Sequence, residues 1–185
     1  GTSMHIEHKL RSTLHALFAV AGLVGPGAVI DAGANNGQDT KWLANLLSSR
    51  QVFAVEPLER NIKKIRAVAD AHSNIVAIRG SLGNTTGTDS YPAALEHKFD
   101  QLDDKTRKYK RGTSAGRVTI NVLTVDALFA DKVLALAHWD VEGAERQVLE
   151  GARSTIARDR PFFTVESFPR TGRRLHAELM QAVRA

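Results

Sequence analysis

The sequence predicts an α/β fold: a doubly wound, mostly parallel sheet of Rossmann-like type with helices on both faces. Three observations carry the prediction. Short apolar runs alternate with amphipathic stretches of helical length. A glycine-bearing turn, "VIDAGANNG" (29–37), closes the first such run and opens a helix. The next run, "VFAVEP" (52–57), ends on a lone acid, Glu56.

The elements follow in order. Ile6, Leu10, Leu14, Leu17, Phe18 and Ala21 recur at spacings of three and four, an amphipathic helix stopped by Gly22 or by Gly25-Pro26-Gly27. Residues 28–32 form a strand. Residues 37–49 are helical, with Trp42, Leu43, Leu46 and Leu47 on one side. Residues 51–55 are a second strand and 59–72 a second helix, carrying Ile62, Ile65, Val68 and Ala69 inward. A third strand covers 74–79. Residues 81–117 lack periodicity, and the basic run at 97–117 reads as a surface loop or lid. Order returns with a strand at 118–123, a short helix at 125–129 and a strand at 134–141. A helix at 144–157, a buried strand at 161–166 and a last helix at 172–184 follow. Right-handed crossovers leave few topologies for such a series.

Composition sets the bounds. With 185 residues, 43% hydrophobic and 24% charged, the chain suits one globular domain, read here as residues 4–185. Gly1, Thr2 and Ser3 read as a tag remnant. The absence of cysteine excludes disulfides, thiolate nucleophiles and cysteine-based zinc sites, and agrees with a cytoplasmic location. The apolar stretch 14–30 is broken by glycines and a proline, so no membrane span is expected. The net charge of +5 favours acidic partners in general.

The glycine turn is the first candidate site. Glycine admits positive φ and close approach of a ligand, and a helix N-terminus offers unpaired amides. The spacing from Asp31 through Gly33 to Gly37 is D-x-G-x-x-x-G. A dinucleotide fingerprint needs G-x-G-x-x-G, and a P-loop needs Gly-Lys-Ser/Thr after the turn; neither is present. The acid-first pattern is that of S-adenosylmethionine sites. Glu56 lies 19 residues beyond Gly37, where an acid can accept both ribose hydroxyls of a nucleoside. A tight turn and a solvated strand-end charge are the plain alternatives for these two features.

"HWDVEGAERQVLEGA" (138–152) closes a strand and opens a helix, and with it the sequence resembles the FkbM-type S-adenosylmethionine-dependent methyltransferases. Their hallmark is Asp-Val-Glu-Gly-Ala-Glu followed by a Leu-x-Gly-Ala helix. "DAGANNGQDT" is similar to the first motif of that family, "VEPLERN" to its acid-proline motif with a trailing Asn61, and "RPFFTVES" to its next strand. The resemblance implies a cofactor site made by Asp31, Gly33, Ala34, Asn35, Asn36, Gly37, Thr40, Glu56, Pro57, Ser81, Leu82 and Asp140. It implies O-methylation of a small-molecule hydroxyl on a sugar, polyketide or similar metabolite. The sequence departs from the family at His138, where lysine is usual, and it ends at Ala185 without the family's final β-hairpin.

His138, Asp140 and Glu142 alternate at period two and share one side of an extended end. Asp140 is the candidate for cofactor contact or base, against a cap for the helix at 144. Glu142 is the candidate for holding substrate, against a helix-start carboxylate. His138 is either a general base near neutral pH or a structural histidine. The three could ligate a metal, but nothing in their spacing demands one, and none is expected. Glu166 faces either the substrate or Arg170 and Arg173. Trp42 and Trp139 read as core. Lys105, Arg107, Lys108, Lys110, Arg111 and Arg117 with Tyr109 could grip phosphate, which keeps an RNA methyltransferase open as an alternative. A solvated lid is the favoured reading of that run, and nucleic acid is not the expected partner. A non-catalytic binding protein on the same scaffold is the other alternative.

Overall fold

The computed structural model describes residues 24–93, 116–141 and 143–165. Its centre is a five-stranded, wholly parallel sheet. The strands are β1 (Ala28–Ala32), β2 (Val52–Glu56), β3 (Ile75–Arg79), β7 (Leu134–Trp139) and β8 (Phe162–Val165), in the order β3-β2-β1-β7-β8. The chain winds outward from β1 through β2 to β3, then returns to the other side of β1 with β7. The strand order therefore reverses at β1, and a crevice opens beyond its carboxyl end.

Parallel strands covered on both faces are apolar at nearly every position, which is why β1 and β2 read as continuous runs. Both are buried along their whole length. Helices α1 (Gln38–Leu46) and α2 (Glu59–Ala69) cover one face. There Val29, Leu43, Ala44, Val52 and Leu136 form one cluster, and Ala34, Ala54, Ile62 and Ile65 another. Helices α3 (Val125–Leu128), α4 (Glu145–Glu150) and α5 (Arg153–Asp159) belong to the other side. Ile30, Phe53, Val55, Val125, Phe129, Trp139, Val148 and Leu149 meet in the core of that side. Phe53 and Phe129 pack edge-on at 5.3 Å, and Trp139 stacks on Phe163 at 5.4 Å. Trp139 and Leu43 are core, as their sequence positions indicate, while Trp42 is half-buried against the α1 cluster. Each large side chain so buried contributes about 1.5–3 kcal/mol.

Three expectations change. The helix expected at 144–157 is two helices. Helix α4 ends at Gly151, where the Gly83 carbonyl lies 2.1 Å from where a Cβ would stand, and Asp126 starts α5 by accepting the Ser154 and Thr155 amides at 3.2 and 2.7 Å. The unpatterned segment after residue 80 contains β4 (Ser81–Leu82) and β5 (Gly87–Pro92). These flank β6 (Arg117–Leu123) in a second sheet of order β4-β6-β5, with β5 antiparallel to β6. The first three residues of β5 are exposed and the next three half-buried, so no apolar alternation marks it. Strand β8 is not fully buried: Phe162 is exposed and its successors are half-buried. The expected helices at 6–21 and 172–184, and the basic run up to residue 115, lie outside the described residues.

Candidate active site

The carboxyl ends of β1, β2 and β7 converge on the 33–37 turn. Gly33, Asn35 and Gly37 all take left-handed backbone, with φ of 79°, 49° and 80°. Glycine adopts this region freely, and asparagine more readily than most side chains. The turn is anchored to β2: the Gly33 and Ala34 amides both donate to the Val55 carbonyl, at 3.0 and 3.2 Å. The Gly37 amide donates to Ala34 and closes the turn at 2.8 Å, and Asn36 Oδ1 accepts the Gln38 amide.

Glu56 holds the other side of the turn. Its Oε2 accepts the Asn35 amide at 2.9 Å, and its Oε1 accepts the Leu58 amide at 2.9 Å and Asn61 Nδ2 at 3.3 Å. The residue is only 4% exposed. Burial pushes its carboxyl above the ordinary range, and the hydrogen bonds from Leu58, Asn61 and Asn35 oppose that only in part. Two carboxylate oxygens offer about four acceptor positions. Three are used among the described residues, which leaves room for one further donor. The backbone of β3 reaches the same place, for the Gly80 amide donates to the Glu56 carbonyl at 3.1 Å. Ser81 follows, half-buried, but Leu82 turns its side chain into the core and offers a ligand only its backbone. Half-buried Pro57 accepts a hydrogen bond from the Tyr91 hydroxyl of β5 at 3.4 Å.

Behind the turn runs a polar row. Asp31 on β1, His138 on β7 and Thr164 on β8 are register partners, so their side chains share one face of the sheet. His138 Nδ1 lies 2.9 Å from Thr164 Oγ1. The Thr40 hydroxyl, on the first turn of α1, donates to Asp31 Oδ2 at 2.5 Å. Asp31 and Thr40 are essentially inaccessible and His138 is 7% exposed. Burial raises the Asp31 carboxyl, against the opposing pull of His138 and then of the Thr40 bond. Asp31 and Thr40 thus fasten the start of α1 from beneath. His138 occupies an interior place one residue back from the end of β7.

Asp140 leaves β7 beside the turn. Its amide donates to Ala32 at 2.9 Å, and its carbonyl oxygen lies 1.8 Å from where a Cβ of Gly33 would stand. The space vacated by Gly33 is therefore filled by the protein's own backbone. The following helix begins after Ala144, which has no side-chain cap of its own. The helix-start carboxylate is Glu145, whose Oε1 accepts the Gly143 amide at 2.9 Å. Glu142 and Glu166 lie outside the described residues.

The model of the methyltransferase FkbM domain matches residues 31–185. The chain belongs to the FkbM methyltransferase family. A solved structure of methyltransferase FkbM from Methylobacillus flagellatus KT is similar in fold, with a TM-score of 0.60 at 19% identity. The match covers 84% of this chain and 37% of that one, so the chain spans little more than a third of that protein's length. A comparison with curated proteins finds no match.

Within the FkbM methyltransferase frame, the sequence reading gave no structural role to three supporting residues. Asn61 lies five residues after Glu56, a polar side chain on the apolar face of α2, and that mismatch was its signal. Thr164 sits inside the apolar run "PFFTV", where a lone hydroxyl needs a partner. Glu145 is the second acid of the Asp-Val-Glu-Gly-Ala-Glu motif. Among the described residues, no helix is long and apolar enough to cross a membrane, and no group of three metal-binding side chains is assembled.

Proposed function

We propose that this chain is an S-adenosylmethionine-dependent methyltransferase that acts on a small-molecule hydroxyl. The observation that carries the cofactor assignment is the buried Glu56 carboxylate, bonded to the left-handed 33–37 turn with one acceptor position left. A ribose hydroxyl fits that position. Gly33 to Gly37 form the wall beside it, Pro57 and Ser81 extend it toward the adenine side, and Asp140 stands at the β7 end. The bound cofactor supplies a methyl group on a positively charged sulfur that leaves as a neutral thioether. The protein's part is alignment: it holds the acceptor oxygen in line, excludes water and receives the hydroxyl proton. Asp140 is the candidate to receive it among the described residues, and Glu142 and Glu166 are the candidates to orient the acceptor.

Calorimetric titration of the purified chain with S-adenosylmethionine, with NAD in parallel, tests the reading. Micromolar binding of the first alone, abolished in Glu56→Ala, is the expected result. Transfer of labelled methyl to a hydroxyl-bearing acceptor panel then tests the reaction. Preference for NAD would overturn the cofactor assignment, and binding without transfer to any acceptor would favour a non-catalytic role.

A further inference from the structure

The polar row Thr164–His138–Asp31–Thr40 crosses three strands and one helix. Each end reaches a different part of the site. Through Thr40, Asp31 holds the first turn of α1 and hence the 33–37 turn. His138 stands two residues before Asp140 on β7, and Asp140 closes on the same turn through its amide to Ala32 and its carbonyl against Gly33. An interior carboxylate is tolerated only when a cation or several donors compensate it. Among the described residues the Thr40 hydroxyl donates to Asp31, and His138, its register partner on β7, is the basic group that faces it. The other charged neighbours, Asp39 on α1 and Asp140 on β7, are both acidic and cannot take that place.

We propose that His138 is a positioning residue: by compensating Asp31 across the β1–β7 seam, it locks the cofactor turn to the strand that carries Asp140. The role deepens the methyltransferase reading and rests on it for the ligand. Thr164 orients the imidazole from the far side, so that one ring nitrogen is engaged with β8 while the ring stays in register with Asp31. No proton transfer to substrate is assigned to His138.

The test compares His138→Leu, which keeps apolar bulk, with His138→Lys, which places a basic group on a flexible stem. The first readout is amide hydrogen exchange without ligand. In His138→Leu, the amides of Asn35, Gly37 and Lys41 should exchange about tenfold faster, while those of Ile62 and Asp70 in and after α2 stay as they were. His138→Lys should restore them. The second readout is S-adenosylmethionine affinity, weakened about tenfold by leucine and recovered with lysine. Uniform acceleration across the chain, unchanged turn amides, or failure of lysine to rescue overturns the proposal. So does a leucine variant with a loosened turn and unaltered cofactor affinity. If the parent binds no S-adenosylmethionine, the functional reading fails, and the exchange pattern still decides whether His138 locks the turn.

Discussion

Replacing Gly33 with alanine tests how tightly the turn and the β7 end are joined. Two costs add. At φ of 79° an alanine sits in left-handed backbone, about 1–2 kcal/mol above its relaxed state. The new Cβ would stand 1.8 Å from the Asp140 carbonyl oxygen, where an ordinary close C···O contact is about 3.3 Å. Asp140 must therefore retreat by about 1.5 Å, taking with it the amide bond to Ala32. Losing that bond with its carbonyl left unmet costs about 1–3 kcal/mol. The sum is roughly 2–5 kcal/mol, a large part of the ~5–15 kcal/mol that holds a domain of this kind together. Gly143 is the internal control: its φ is 104° and a Cβ there meets nothing within 4 Å among the described residues, so its alanine variant carries the backbone cost alone. Urea unfolding followed by tryptophan fluorescence reads both. With a slope of about 2 kcal/mol per molar urea, Gly33→Ala should unfold about 1 M earlier than Gly143→Ala. Equal midpoints for the two variants would refute the argument that Asp140 is packed into the space left by Gly33.

Three further outcomes follow from the same geometry. Asp126→Ala removes the carboxylate that starts α5 and should cost about 1–2 kcal/mol near neutral pH. Burial works against the Asp126 charge, but the bonds from Thr155 and Ser154 outweigh it and hold the carboxyl below the ordinary range. Its stabilisation is therefore present above the unfolded-state pKa and lost as pH falls through the lower folded one, and parent and variant urea midpoints should converge in acid. Glu56 behaves oppositely: its folded pKa is raised, so its contribution is complete below the unfolded-state pKa and is lost as pH rises through the folded one. The parent should lose ground to Glu56→Gln across that interval, and a parent that gains ground there contradicts the stated burial. Trp139 is fully buried, and its Nε1 has no hydrogen-bond partner among the described residues. Trp139→Phe, which removes the unmet donor and keeps an aromatic ring against Phe163, should cost less than ~1.5 kcal/mol, whereas Trp139→Ala should cost about 3–5 kcal/mol by calorimetric unfolding.

Much of this architecture is legible from local pattern. Apolar runs at 28–32 and 52–56 have to be strands buried on two faces, and the left-handed backbone at Gly33 and Gly37 is visible as glycine. Glu56 is conspicuous because a charge ending such a run must find partners. Strand β5 is not legible, because "GTDSYP" has no apolar face and becomes a strand only when β6 supplies its hydrogen bonds. The break at Gly151 is equally hidden, since the Gly83 carbonyl that lies against it is 68 positions away in the chain.

The sequence by itself determined the fold class, the family and the place of the glycine turn. Each of these is written in residues close together in the chain: a hydrophobic period, a glycine spacing, an acid at a strand end. Only the tertiary structure decided what Asp31, Thr40 and His138 do. Period two put His138 with Asp140, but strand register put it beside Asp31 and Thr164, on strands far apart in sequence. That pairing places the candidate base in the interior, next to a buried carboxylate. The physical reason is that side-chain chemistry is set by neighbours in space, and in a parallel sheet those neighbours come from different crossovers.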